Sequence, residues 1–157
     1  MAETAASTHV TPELVATAYD ALASGDMEQI RRYWAEDMVW LVPGHNPLSG
    51  QYNGLDAFLG FMGNVGHLSG NSFNMARIAV MTSDEYSADV THNVGYRAGE
   101  EGGEPPYDKL DIEVVHVLRW RDRKVIEGRG AIFGDGTTHY DQFWSPTGPD
   151  GARRTQP

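Results

Sequence analysis

From Phe73 onward the apolar residues stop recurring every three or four positions and begin to alternate, and this change of period limits the fold more than any single motif. Before it, three segments read as helices. Thr11 is placed as an N-cap and Pro12 at the first helical position, with Leu14, Val15, Ala18 and Leu22 at helical spacing until Ser24-Gly25. Asp26 restarts a helix, with Gln29 three residues on as in a capping box, and Met27, Ile30, Tyr33 and Trp34 form its apolar face. A short strand, 38–42, ends at Pro43-Gly44, and the loop 45–53 leads to a third helix with Leu55, Phe58, Leu59, Met62 and Val65 on one stripe. Gly60, Gly63 and Gly66 interrupt that stripe as sites of either close packing or mobility. Four strands are then expected over 73–81, 86–96, 110–120 and 125–133. Helices followed by consecutive strands indicate an α+β domain with an antiparallel sheet. Its expected span is 11–145, between an aperiodic lead-in, 1–10, and a disordered tail, 146–157.

Composition removes several function classes. The 157 residues include no cysteine, which excludes disulfides, thiolate metal sites and cysteine nucleophiles. A net charge of -10 argues against a nucleic-acid partner, since phosphate binding needs concentrated Lys and Arg. Apolar runs such as Met38 to Val42 are too short to span a bilayer, and Met1 to His9 has no basic segment followed by an apolar one. A cytoplasmic location with no membrane partner is therefore expected. No His-Glu-x-x-His, phosphate-cradling glycine loop or Gly-x-Ser-x-Gly elbow occurs, and the alternation of His139 and Asp141 lacks a third donor, so neither a metal nor a cofactor is expected.

Strand parity isolates the polar candidates. In 110–120 one face holds Leu110, Ile112, Val114, His116, Leu118 and Trp120, which puts a histidine inside an apolar row. In 86–96 the apolar row is Tyr86, Ala88, Val90, His92, Val94 and Tyr96, opposed by Ser87, Asp89, Thr91 and Asn93. On this pattern His92 and His116 both face inward. Each fits first a core histidine satisfied by a hydrogen bond, and each also fits a partly desolvated imidazole that offers a donor and an acceptor for moving protons. In 125–133, Ile126, Gly128, Gly130 and Ile132 share a face, where the glycines leave space for a ligand or admit a closely packed neighbour.

The runs Gly25-Asp26-Met27-Glu28-Gln29-Ile30, Tyr33-Trp34-Ala35-Glu36-Asp37-Met38-Val39-Trp40 and Pro43-Gly44, with His116-Val117-Leu118-Arg119-Trp120 before Lys124-Val125-Ile126-Glu127, resemble the nuclear-transport-factor-2-like superfamily. The similarity is to its SnoaL-like polyketide cyclase and ketosteroid isomerase-like branch, over about residues 12–145. The resemblance implies a cone in which three N-terminal helices pack a bent sheet around an apolar pocket, and a homodimer. Family catalysts transfer incompletely. The isomerase carboxylate falls at Val42, the first-helix tyrosine at Ala18 with Tyr19 turned to another face, and the oxyanion-hole carboxylate at His116. The cyclase aspartate falls near Phe133, where Asp135 is the nearest carboxylate, within a Gly-rich turn.

Together these readings imply acid–base chemistry without a cofactor on a small hydrophobic carbonyl-bearing molecule, by cyclisation, isomerisation or dehydration. His116 is the leading catalytic candidate, with His92 or Asp135 as its partner. Trp40, His45, Tyr52, Phe58, Met62 and Trp120 are the expected substrate-binding residues. The competing expectation is a binding or dimerisation domain of the same fold without catalysis.

Overall fold

The computed structural model describes residues 9–98 and 108–146; the expected tail, the acidic loop around Glu101 and most of the lead-in lie outside the described residues. Thr11 Oγ1 accepts the Leu14 N–H and opens α1 (Pro12–Ser24), which Gly25 closes in a left-handed conformation. Asp26 caps α2 (Met27–Tyr33) by accepting from Glu28 N–H. The chain passes directly from α2 into β1 (Trp34–Val42), so Trp34 belongs to a strand rather than to the helix face expected for it. Its indole is fully buried and donates to the Ala18 carbonyl, tying α1 to the sheet. A two-strand ribbon forms where a loop was expected, because β2 (Gly50–Asn53) pairs antiparallel with β1.

Helix α3 (Leu55–Leu68) buries Leu55 and Phe58 against the sheet. The strands β3 (Asn74–Thr82), β4 (Tyr86–Tyr96), β5 (Lys109–Arg121) and β6 (Lys124–Ile132) follow within a residue or two of the expected limits. The sheet runs β2-β1-β6-β5-β4-β3. It is mixed rather than wholly antiparallel, because β1 and β6 are parallel neighbours. A fourth helix, α4 (Gly136–Trp144), follows β6 in a stretch to which the sequence reading assigns no element. Its Tyr140, Phe143 and Trp144 are buried, and the last two pack edge to face. Val10, expected in the lead-in, is also part of the core. The whole is an α+β cone: helices close over the concave face of a bent, open sheet.

The faces of β4 are opposite to those expected. Ser87, Asp89, Thr91 and Asn93 are buried on the concave side, whereas the apolar row of Ala88, Val90, His92 and Val94 lies on the convex side. Strand β5 keeps its expected parity, with His116 concave. In β6 a bulge opposite Arg119 and Trp120 turns Val125 into the core in place of Ile126 and then restores Gly128 and Gly130 to the concave row.

Candidate active site

A cavity of about 520 Å³ occupies the concave side of the sheet. Its walls are apolar: Trp40 and Val42 from β1, Phe58, Phe61, Met62 and Val65 from α3, and Tyr140 and Trp144 from α4. The exposed lining residues Asp20, Ala23, Met75 and Arg77 mark its mouth between α1 and β3. Polar groups come chiefly from β4 and from one residue of β5.

Antiparallel register sets Asp89 directly opposite His116 on the same face of the ladder. His116 Nδ1 lies 3.1 Å from Asp89 Oδ2, with the histidine 7% exposed and the carboxylate 0%. Tyr19 on α1 donates its hydroxyl to Asp89 Oδ1 at 2.8 Å, so each carboxylate oxygen is engaged. A carboxylate held against Nδ1 favours the tautomer with its proton on that nitrogen. Nε2 then keeps its lone pair, and it makes no hydrogen bond among the described residues. The Trp40 ring sits 5.8 Å from the imidazole and stacks in turn on Phe58. Burial, together with the charge and hydrogen bond of Asp89, pushes the Tyr19 phenol well above its ordinary value, against a smaller opposing pull from Arg77. Tyr19 therefore acts as a neutral donor across the neutral pH range.

The two inward glycines separate into the two roles open to them. A side chain at Gly128 would run into the Trp40 ring, so that glycine admits the tryptophan. Gly130 faces His116, Pro43 and Val114 across ordinary contact distances and lines the cavity. Space beside the imidazole therefore comes from Gly130.

The structure brings together only part of the expected site. Trp40, Phe58, Met62 and His116 share the cavity. His92 does not: it stands on the convex face and bonds Asp111 at 2.7 Å. That bond is the main reason the Asp111 carboxyl sits below its usual range. Asp135 is exposed at the start of α4, outside the cavity lining, where its turn composition served the chain reversal. His45 is exposed and contributes only a backbone N–H to Asp141. Tyr52 packs on Phe61 and donates to the Leu48 carbonyl. Trp120 is core, its indole bonded to Ser87.

Two members of the polar site lay outside the expected set. Asp89 falls on the polar row of β4, opposite the apolar row that parity turns inward. The resemblance places the family tyrosine at Ala18, but Ala18 is part of the core and Tyr19, one step round the helix, reaches the cavity. Among the described residues no three His, Asp or Glu side chains gather as a metal site would need. No described helix is long and apolar enough to cross a membrane.

A model of the SnoaL-like domain matches residues 15–128. No curated protein matches the chain. Among solved structures, Bal32a from a soil-derived mobile gene cassette is 26% identical, with 84% of this chain and 94% of that one superposed at a TM-score of 0.71. A cystatin-like-fold protein of unknown function from Xanthomonas campestris is 22% identical over 84% and 95% of the two chains, at 0.70. IdmH from Streptomyces antibioticus, described as a candidate polyketide cyclase, is 20% identical over 77% and 90%, at 0.61. The latter two likenesses are of fold.

Proposed function

The chain belongs to the SnoaL-like domain family, and on that premise we propose that it is an acid–base enzyme of the cyclase, isomerase or dehydratase type for a small hydrophobic carbonyl-bearing molecule. One observation supports this above the others: an imidazole whose Nδ1 is bound by a buried carboxylate and whose Nε2 is unpartnered beside an apolar cavity. Nε2 takes a proton from the carbon next to the substrate carbonyl, leaving an enolate. Asp89 stabilises the imidazolium that results, and Tyr19 holds Asp89 in position. The enolate then attacks a second carbonyl, takes a proton back at another carbon, or expels hydroxide with help from the imidazolium. His92 and Asp135 have no part in this step.

The test uses a simple enolisable ketone. β-Tetralone in D₂O, followed by NMR, is expected to exchange its α-protons faster with the wild-type protein than with His116→Gln, which should remain folded. Equal exchange in the two proteins would return His116 to a structural hydrogen-bonding role. The second reading, a binding domain without catalysis, is favoured by Val42 at the position where the isomerase resemblance implies a working carboxylate. It predicts ketone binding without exchange.

The convex face supports pairing with a second copy. Val115, Val117 and Ala131 continue the Ala88, Val90 and Val94 row, next to exposed Met81 and Tyr86. Such a contiguous apolar area marks an interaction surface more often than a solvated one. Sedimentation of Val90→Lys is expected to give a monomer where the wild type gives a dimer. The cytoplasmic location remains part of the proposal.

A further inference from the structure

We infer that Asn93 is a second polar station in the cavity, one that receives a carbonyl or carboxylate oxygen of the ligand at the end remote from His116. The inference deepens the reading of the cavity as a small-molecule site and does not depend on catalysis there.

Asn93 lies on the concave face of β4, 4% exposed, and lines the cavity. Thr91, two residues earlier on the same face, donates its hydroxyl to Asn93 Oδ1 at 2.7 Å. A primary amide has one acceptor oxygen and two N–H donors. With the oxygen accepting from Thr91, both amide donors remain. The Nδ2 atom has no partner among the described residues, and it is not among the sealed, unpartnered atoms of the interior. Donors that face a cavity are satisfied there by water or by an acceptor of the ligand. The complementary ligand group is therefore an acceptor.

The ladder gives the spacing. Asp89 pairs with His116 and Asn93 pairs with Ile112, four residues further along both strands. At the rise of an extended strand this separates the two stations by roughly 13 Å between Cα positions. Allowing for side-chain reach, the two ligand oxygens stand on the order of 10 Å apart. The cavity they share is walled by aromatic and thioether side chains, among them Phe58, Phe61 and Met62. The ligand class is an elongated apolar molecule with oxygen at both ends, bound in one direction because the two ends differ: a donor amide at one, an imidazole–carboxylate pair at the other.

The probes are β-naphthol with an acetyl group at the opposite end of the ring system and the same naphthol with an ethyl group there. The second lacks the carbonyl oxygen, so only the first offers an acceptor at that end. By calorimetry the wild type is expected to bind the acetyl compound about 3- to 10-fold more tightly than the ethyl one. Asn93→Leu should abolish that preference, and Asn93→Asp, which offers only acceptors, should do the same if the leucine variant fails to fold. Thr91→Val frees the amide to turn and should reduce the preference. His116→Gln should keep the preference, so failure of the catalytic proposal and failure of this one are separable. A wild type with no preference, including one that binds neither probe, overturns the inference. So does a preference that survives in a folded Asn93 variant.

Discussion

His116 Nδ1 and Asp89 Oδ2 meet at 3.1 Å across one rung of the β4–β5 ladder, inside a sheet face that is otherwise apolar along β5. The carboxylate has no exposed surface, so the pair and Tyr19 form a closed polar unit rather than a hydrated one. Removing the acceptor strands two buried donors. Asp89→Leu is expected to lower the unfolding free energy by about 2–4 kcal/mol, and Asp89→Asn by roughly half as much or less, since an amide still accepts one of the two bonds. Urea denaturation measures both. A loss below about 0.5 kcal/mol in the leucine variant would mean that water replaces the carboxylate at no cost.

The alkaline limb of stability should carry the signature of Tyr19. Its phenol is raised in the folded state, chiefly by burial and then by Asp89, and that of Tyr140 is raised by burial. Above about pH 10 the unfolded chain releases these protons while the folded one keeps them. Unfolding then becomes easier with each further step in pH. The stabilisation is complete below that pH and is lost above it. Thermal melts across the alkaline range should show a shallower decline for Tyr19→Phe than for the wild type, and parallel curves would contradict the burial of this hydroxyl.

How much of this was legible beforehand differs strand by strand. β5 could be read correctly because its concave row is apolar apart from His116, which is the usual relation of core to parity. β4 reads backwards for a physical reason. Its concave row is the polar lining of a cavity, and its convex row is apolar, so the ordinary rule that the apolar face turns inward selects the wrong side. That inversion hid Asp89, Thr91 and Asn93 and promoted His92. A legible signal existed: the residues opposite His92 on that strand, Ser87, Asp89, Thr91 and Asn93, are short and uncharged apart from a single carboxylate, unlike the long charged side chains of a solvated face. Helix α4 was missed because Gly134-Asp135-Gly136-Thr137-Thr138 reads as a turn and only its last residues are apolar.

The glycines of α3 give a prediction of opposite sign. Gly60 and Gly63 are exposed, and a β-carbon at either would meet open space, which removes close packing as their reason within one chain. Each costs the helix up to about 1 kcal/mol relative to alanine. Gly60→Ala and Gly63→Ala should each raise the melting temperature. Destabilisation by either would point to a neighbour on that surface, such as a second copy.

Gly128 and Gly130 should part company when each is replaced by alanine. At Gly128 the new methyl would enter the space of the Trp40 ring and crowd Leu118, a strain of about 1–3 kcal/mol. At Gly130 the nearest atoms, Pro43 Cδ, His116 Cδ2 and Val114 Cγ1, stand at 3.5, 3.6 and 3.8 Å, so alanine fits. Gly130→Ala should therefore leave the melting temperature within a degree or two of wild type. It should still weaken binding of the naphthol probes, because the methyl occupies cavity space beside the imidazole. Equal thermal stability of the two variants would remove the distinction between a packing glycine and a pocket glycine.

A last prediction concerns the loop after β1, which α4 holds from a distance of nearly a hundred residues in sequence. Asp141 Oδ1 accepts both the His45 backbone N–H and the Asn46 side-chain amide at 2.8 Å. Asn46 Oδ1 in turn accepts from Leu48 N–H, and Ser49 Oγ donates to the Pro43 carbonyl. Gly44 is in a left-handed conformation with φ +92°, and a side chain there would overlap the Asp141 carboxylate. The loop is therefore shaped around one buried acceptor. Asp141→Ala leaves two donors without it and should cost about 1–3 kcal/mol. The sharper readout is local. Hydrogen exchange should accelerate at His45 and Leu48 in the variant while the amides of β4 and β5 keep their protection, because the clamp holds the loop and not the sheet. Uniform acceleration across the chain would instead make Asp141 a determinant of the whole fold, and unchanged exchange at His45 would remove the clamp.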